Sequence, residues 1–283
     1  ENYGMVAYGG AIAEWDAQAA AFASYITGKT AADVAGIAVN EKTAPTDADL
    51  TASVTIKIGG FQQLVAKAAG AEASAEGALK TGLAVIAGVG DSKSATTEEA
   101  GEGKYDVTMV AVLVDDNGVI QDCVIDGVAT AVQFDAAGAL VTDTAVAPQT
   151  KNELGESYGM VAWGGAIAEW YQQADALAQF AIGKTVSELK NGAIDETGKA
   201  PAGSDLASSA TIYLGGYVSA MEEAVKNAQH LGAQGGDELR LAAMPSLKAN
   251  NATAENVGAI ELNCDVTALT VKDSVITSCY IDS

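Results

Sequence analysis

Ile12, Trp15, Ala19, Phe22 and Ile26 recur at the spacing of one helical face, and Gly28 follows as a natural stop. Thr30 in "TAAD" and Thr185 in "TVSE" each precede an acid by three residues, the signature of an N-capped short helix. Phe61, Leu64, Val65 and Ala68 mark a third helix, and Tyr217, Met221 and Val225 mark its counterpart later in the chain. The pattern then changes period. Residues 107–114 and 119–125 are rich in aliphatic and β-branched side chains around the turn signal "DDNG", which predicts a hairpin. Residues 266–271 and 275–281 repeat that hairpin around "KDS".

These elements recur because the chain repeats itself. "ENYGMVAYGGAIAEW" from Glu1 and "ESYGMVAWGGAIAEW" from Glu156 differ only at Asn2/Ser157 and Tyr8/Trp163. "DLTASVT", residues 49–55, returns as "DLASSAT", residues 205–211. Thr55 and Thr211 stand 156 residues apart, as do Asp126 and Asp282 at the ends of the two hairpins. Each unit is a helical lobe followed by a strand lobe. The predicted class is α+β, with two pseudo-repeated domains, each an antiparallel sheet with helices segregated to one side. Two divisions of the chain fit this order. Either the units are sequential, 1–135 and 156–283, or 71–230 is one complete domain that 1–70 and 231–283 enclose as a second.

A chain of 283 residues can carry two cores of ordinary size. No run is long enough to span a bilayer, and no signal peptide or lipid-attachment motif is present. Glu1 in place of Met implies a trimmed chain, with any surface anchor upstream. The net charge of −22 excludes a nucleic-acid partner, because a polyanion meets a repulsive field. Cys123, Cys264 and Cys279 form no zinc pattern or disulfide framework, and Cys123 and Cys279 read as apolar strand residues. His230 is the lone histidine, so a histidine-dependent catalytic site cannot be repeated; the expectation is an exposed place near a helix end. "GVGDS" at Gly88 is too short for a phosphate loop, and "DDNG" is a turn rather than a calcium loop. No metal site is expected.

That leaves the duplicated threonine motif. A small-residue run ending in Thr before a helix is, by itself, the pattern of an N-cap or turn. Its context is more specific: an Asp six residues before the Thr, a helix after it, and a hairpin ending in Asp126 well upstream of Thr211. "DLASSAT", "DLTASVT" and the hairpin "VTMVAVLVDDNGVIQDCVI" together resemble the covalent FMN-binding domain family. Its members include flavin-bearing lipoproteins of Gram-positive extracellular electron transfer, and its attachment motif reads Asp-x-x-Ser-Gly-Ala-Thr. The resemblance implies that a flavin transferase joins the FMN phosphate to Thr55 and Thr211 as phosphoesters, with Asp49 and Asp205 as the motif acids. The motif's Gly is Ser53 or Ser209 here, and in the first copy its Ser is Ala52 and its Ala is Val54. Family domains run strand lobe first and Thr motif last, an order that favours 71–230 as one domain and 1–70 with 231–283 as the other.

The chemistry fits those places. A phosphate at a turn into a helix meets free N–H groups and the positive end of the helix dipole. Gly59-Gly60 and Gly215-Gly216 let the backbone approach it closely. Tyr8 and Trp163, with Met5 and Met160, are candidates to pack beside the isoalloxazine rings; the alternative is that these residues belong to the core. The expected function is an extracytosolic electron carrier with covalent FMN, up to two per chain, taking electrons from a membrane donor and passing them to external acceptors. It is not expected to be a substrate-specific enzyme. A cofactor-free surface binding or adhesion repeat protein is the alternative, and a noncovalent ligand site in the groove between lobes is a third.

Overall fold

The computed structural model describes residues 4–68, 77–253 and 256–283. The expected boundary at 70/71 lies outside the described residues, as does Glu1. The first helical lobe contains Met5–Gly9 (α1), Trp15–Ile26 (α2), Ala31–Ala35 (α3), Ala48–Thr51 (α4) and Gly59–Ala68 (α5). Lys80–Gly88 (β1), Gly101–Val114 (β2) and Ile120–Phe134 (β3) follow. The second lobe contains Lys151–Leu154 (α6), Met160–Gly164 (α7), Trp170–Ala181 (α8), Val186–Gly192 (α9) and Gly215–Asn227 (α10). Glu238–Asn250 (β4), Ala259–Lys272 (β5) and Val275–Asp282 (β6) close the chain. The class is α+β. It holds two separate three-stranded antiparallel sheets, ordered β1-β2-β3 and β4-β5-β6.

Local chemistry sets the predicted elements. In the first hairpin turn, Asp115 Oδ1 accepts from Asn117 N and Val119 N, each at 2.9 Å, and Gly118 takes φ +77°. Thr30 and Thr185 form capping boxes with Asp33 and Glu188. The pattern did not announce β1 and β4. "KTGLAVIAG" is rich in Ala and Gly, and "ELRLAAMPSLKAN" carries Pro245 and two cations, so neither alternates strongly. Both are outer strands of their sheets, where a Pro costs no ladder bond to a second neighbour.

Strand alternation distributes the cores into layers. On β2, Val110, Val112 and Val114 pack with Leu177 of α8 and Met221 and Ala224 of α10. The intervening Met109, Ala111 and Leu113 face the other way and pack with Ala243 of β4 and Val266 and Ala268 of β5. On the far side of the second sheet, Leu269, Val271, Ile276 and Ile281 pack with Phe22 and Ile26 of α2 and Leu64 and Val65 of α5. The order of layers is helices, sheet, sheet, helices. The first sheet carries helices from the second lobe, and the second sheet carries helices from the first lobe. Strand β1 meets α10 so closely that a Cβ on Gly82 would lie 2.0 Å from the Ala224 carbonyl oxygen. Residues 229–234 lie along β1, with Gln229 bridging Thr81 and Gln234 bridging Ala78.

All three cysteines are buried. Burial pushes the Cys123 thiol well above its ordinary range and Cys279 up to about 12, so neither supplies a thiolate at neutral pH. Burial also raises the carboxyls of Asp122, Asp126, Asp265 and Asp282 above 3.8. A raised folded-state pKa means that the folded protein holds the proton longer than the unfolded chain does. Stability therefore falls as pH rises from the ordinary carboxylate range through the folded values. These four groups are expected to lower the thermal midpoint as pH rises out of the ordinary carboxylate range, by some 2–4 °C per kcal/mol. Asp126→Asn keeps a side-chain oxygen for its two N–H donors and should flatten that slope in differential scanning calorimetry. A midpoint that rises steadily toward pH 7.5 contradicts this account.

Candidate functional site

The threonine turns are anchored by the apolar residues around them. In the first copy Asp47 Oδ1 accepts from Asp49 N and Leu50 N and starts α4, while Leu50 and Val54 are fully buried. In the second, Leu206 and Ala210 are buried in the same way around a 3₁₀ turn at Leu206–Ser208. The next residue in each case, Thr55 or Thr211, is exposed.

Each threonine is held by a glutamine that the pattern of apolar positions passes over. Gln18 on α2 and Gln173 on α8 are both fully buried. Gln18 Oε1 accepts from Thr55 N at 2.7 Å, Thr55 Oγ1 at 3.0 Å and Ile56 N at 3.2 Å. Gln173 Oε1 accepts from Thr211 N at 2.8 Å, and from Thr211 Oγ1 and Ile212 N at 3.2 Å each. The amide is oriented from behind, since Gln18 Nε2 donates to Ala13 O and Gln173 Nε2 to Ala168 O, both at 2.8 Å. Thus the hydroxyl donates across the turn to another helix.

The same helix ends also hold the aromatic knobs. Glu14, one turn before Gln18, accepts from Met5 N at 2.9 Å and Val6 N at 3.1 Å through its two oxygens. Glu169, buried, does likewise for Met160 N at 2.8 Å and Val161 N at 3.0 Å. These carboxylates satisfy the open N–H groups of the one-turn helices α1 and α7. Gly4 and Gly159 enter those helices at φ +78° and +80°, and a Cβ on either would strike the ring of Tyr8 or Trp163. Tyr8 is 93% exposed and Trp163 83%, so neither belongs to a core. Val6 and Ile12 are exposed beside Tyr8 in the sequence, as are Val161 and Ile167 beside Trp163. Met5 is half-buried, and Met160 packs against the core of the first sheet.

The remaining motif residues sit at the rim. Asp49 and Asp205 are exposed. Asp205 contributes its carbonyl, which accepts from Ser208 Oγ at 2.6 Å and Ser209 Oγ at 3.4 Å, and Ser53 Oγ donates to Leu50 O at 3.4 Å. Beyond the second turn α10 begins with no side-chain cap, and Leu214 N and Gly215 N donate to Gly198 O. In the first copy the Asp265 carboxylate stands 3.6 Å from where a Cβ of Gly60 would be.

The surroundings of the two helices differ. Lys151 Nζ lies 5.0 Å from the centre of the Trp170 ring and 5.6 Å from that of Tyr158, and Trp170 Nε1 donates to Tyr217 Oη at 3.0 Å. Burial lowers the Lys151 ammonium's pKa, against the pull of Asp106 and Asp126. Asp126 accepts from Gly127 N and Asn152 N, so α6 covers the middle of β3. At the end of β6, Trp15, Asp16, Tyr280 and Asp282 help line a cavity of about 590 Å³. It runs along α2 past Ala20 and Ser24, on a different face from Gln18, and is separate from the Thr55 turn. His230 is exposed and contacts Asp116 Oδ1 at 3.0 Å.

Sequence reasoning missed Gln18, Gln173, Glu14 and Glu169. The available signal was a polar residue inside a buried helical stripe, at the same place in both copies. No helix among the described residues is long and apolar enough to cross a membrane. Comparison with protein-family models, curated proteins and solved structures returns no match to this chain.

Proposed function

We propose that this protein is an extracytosolic electron carrier bearing covalent FMN on Thr55 and Thr211, built from two copies of one domain, 71–230 and 1–70 with 231–283. The observation that carries the reading is the duplicated exposed threonine, its hydroxyl turned to a buried glutamine on a neighbouring helix. A hydroxyl serving only as a cap accepts from its own helix N–H. Flavin supplies the redox chemistry, and the chain supplies attachment, orientation and field. The exposed faces of Tyr8 and Trp163 are free to stack on a ring.

The partners of this reading are a flavin transferase, a membrane electron donor and external acceptors, with the acidic surface favouring cationic or metal acceptors. Anchorage at the cell surface through a segment outside this sequence completes it. The exposed pairs Tyr8/Ile12 and Trp163/Ile167 also suit a cofactor-free binding protein, in which they would contact a partner. Co-production with a flavin transferase separates the two. The carrier retains visible flavin absorption after denaturation and removal of free flavin, and peptide mass spectrometry places it on the two threonines. A colourless denatured protein under those conditions rejects the carrier.

A further inference from the structure

Three donors converge on one carbonyl oxygen in each turn, which is one more than its two lone pairs accommodate well. The two backbone N–H groups are fixed by the turn, so the hydroxyl is the surplus donor. Replacing its hydrogen by phosphorus removes that donor and leaves two N–H groups for two lone pairs. The same oxygen fixes the side-chain rotamer of the threonine, because Oγ must point at it. With the proton directed inward to the amide, the Oγ lone pairs are left for an attack from solvent.

We propose that Gln173 and Gln18 are positioning residues for phosphoester formation on Thr211 and Thr55. The inference rests on the covalent-FMN reading and adds residues outside the threonine motif. In the reaction, Thr211 Oγ attacks the FMN phosphorus of an FMN phosphoanhydride such as FAD. The Oγ–P bond forms, the anhydride P–O bond breaks, and AMP leaves. The hydroxyl proton departs to the transferase or solvent, since an amide oxygen is too weak a base to keep it, and no electrons change hands. The Nε2 tethers to Ala13 O and Ala168 O prevent the amide from flipping and presenting donors to donors.

The test measures initial rates of flavin loading on each threonine by peptide mass spectrometry, with purified transferase and FAD. Gln173→Met keeps the side-chain length and removes the acceptor; loading of Thr211 is expected to fall about tenfold or more. Thr55 in the same molecule should load at the parent rate, and a near-parent thermal midpoint shows that the lobe around Thr211 is folded. Gln173→Glu restores an acceptor while losing the Nε2 tether and burying a charge, and should load Thr211 within about threefold of the parent rate. Loading by Gln173→Met at the parent rate overturns the proposal. So does a Gln173→Glu rate as slow as that of Gln173→Met, because packing alone then explains the loss. Gln18→Met, read at Thr55 with Thr211 as reference, repeats the experiment in the other copy. A parent protein that loads neither threonine rejects the covalent-FMN reading itself.

Discussion

A protein carrying both Thr55→Ala and Thr211→Ala is expected to hold no denaturation-resistant flavin when produced with a flavin transferase, while each single variant keeps one flavin. The phosphoester needs a side-chain oxygen, and alanine has none. The fold should survive, because each substitution removes one hydroxyl bond worth about 0.5–1.5 kcal/mol and leaves the glutamine its two N–H donors. Thr211→Ser keeps the oxygen and its bond to Gln173 but frees the rotamer, so it should load more slowly without losing flavin. Near-parent thermal midpoints with the flavin gone tie the loss to attachment. Parent levels of bound flavin in the double variant remove the threonines, and Gln18 and Gln173 with them, from any account of function.

The second large effect lies away from the threonines. Gly82→Ala places a Cβ 2.0 Å from the Ala224 carbonyl oxygen, a backbone atom that cannot rotate aside. Either α10 lifts from β1 or the strand bends. Either movement disturbs a core that includes Met221 and Ala224 on the helix and Val110 and Val112 on the sheet. Overpacking of this kind costs about 1–3 kcal/mol and sometimes more, and a full backbone clash belongs at the upper end. The thermal midpoint should fall by about 2–4 °C for each kcal/mol. Gly192→Ala is the control: a Cβ there meets nothing within 4 Å, and the change should stay within about 0.5 kcal/mol. Equal midpoints for the two variants would show that the helix and strand have room to part.

Hydrophobic period determined much of this protein without a structure. Phe22 and Ile26, or Val110 and Val112, declare their element by spacing, because a one-sided core demands one apolar face. Turn and cap chemistry is equally local, so "DDNG", Thr30 and Thr185 mark the turn and helix starts they form. The duplicated motif pointed to Thr55 and Thr211 because chemistry kept at one spacing twice is visible in a string of letters. Residues whose meaning depends on a distant partner were not legible. Gln18 and Gln173 looked like breaks in apolar stripes until tertiary packing set their amides against turns 37 and 38 residues away. Tyr8 and Trp163 read equally well as core or surface, and only the tertiary structure, which leaves both rings exposed on α1 and α7, decides for the surface. Strands β1 and β4 are outer strands with weak alternation, and pairing with β2 and β5 defines them. The layering of sheet on sheet was decided by tertiary structure too. The inward faces at Met109, Ala111, Val266 and Ala268 are as apolar as any helix-facing surface, and sequence does not record what covers them.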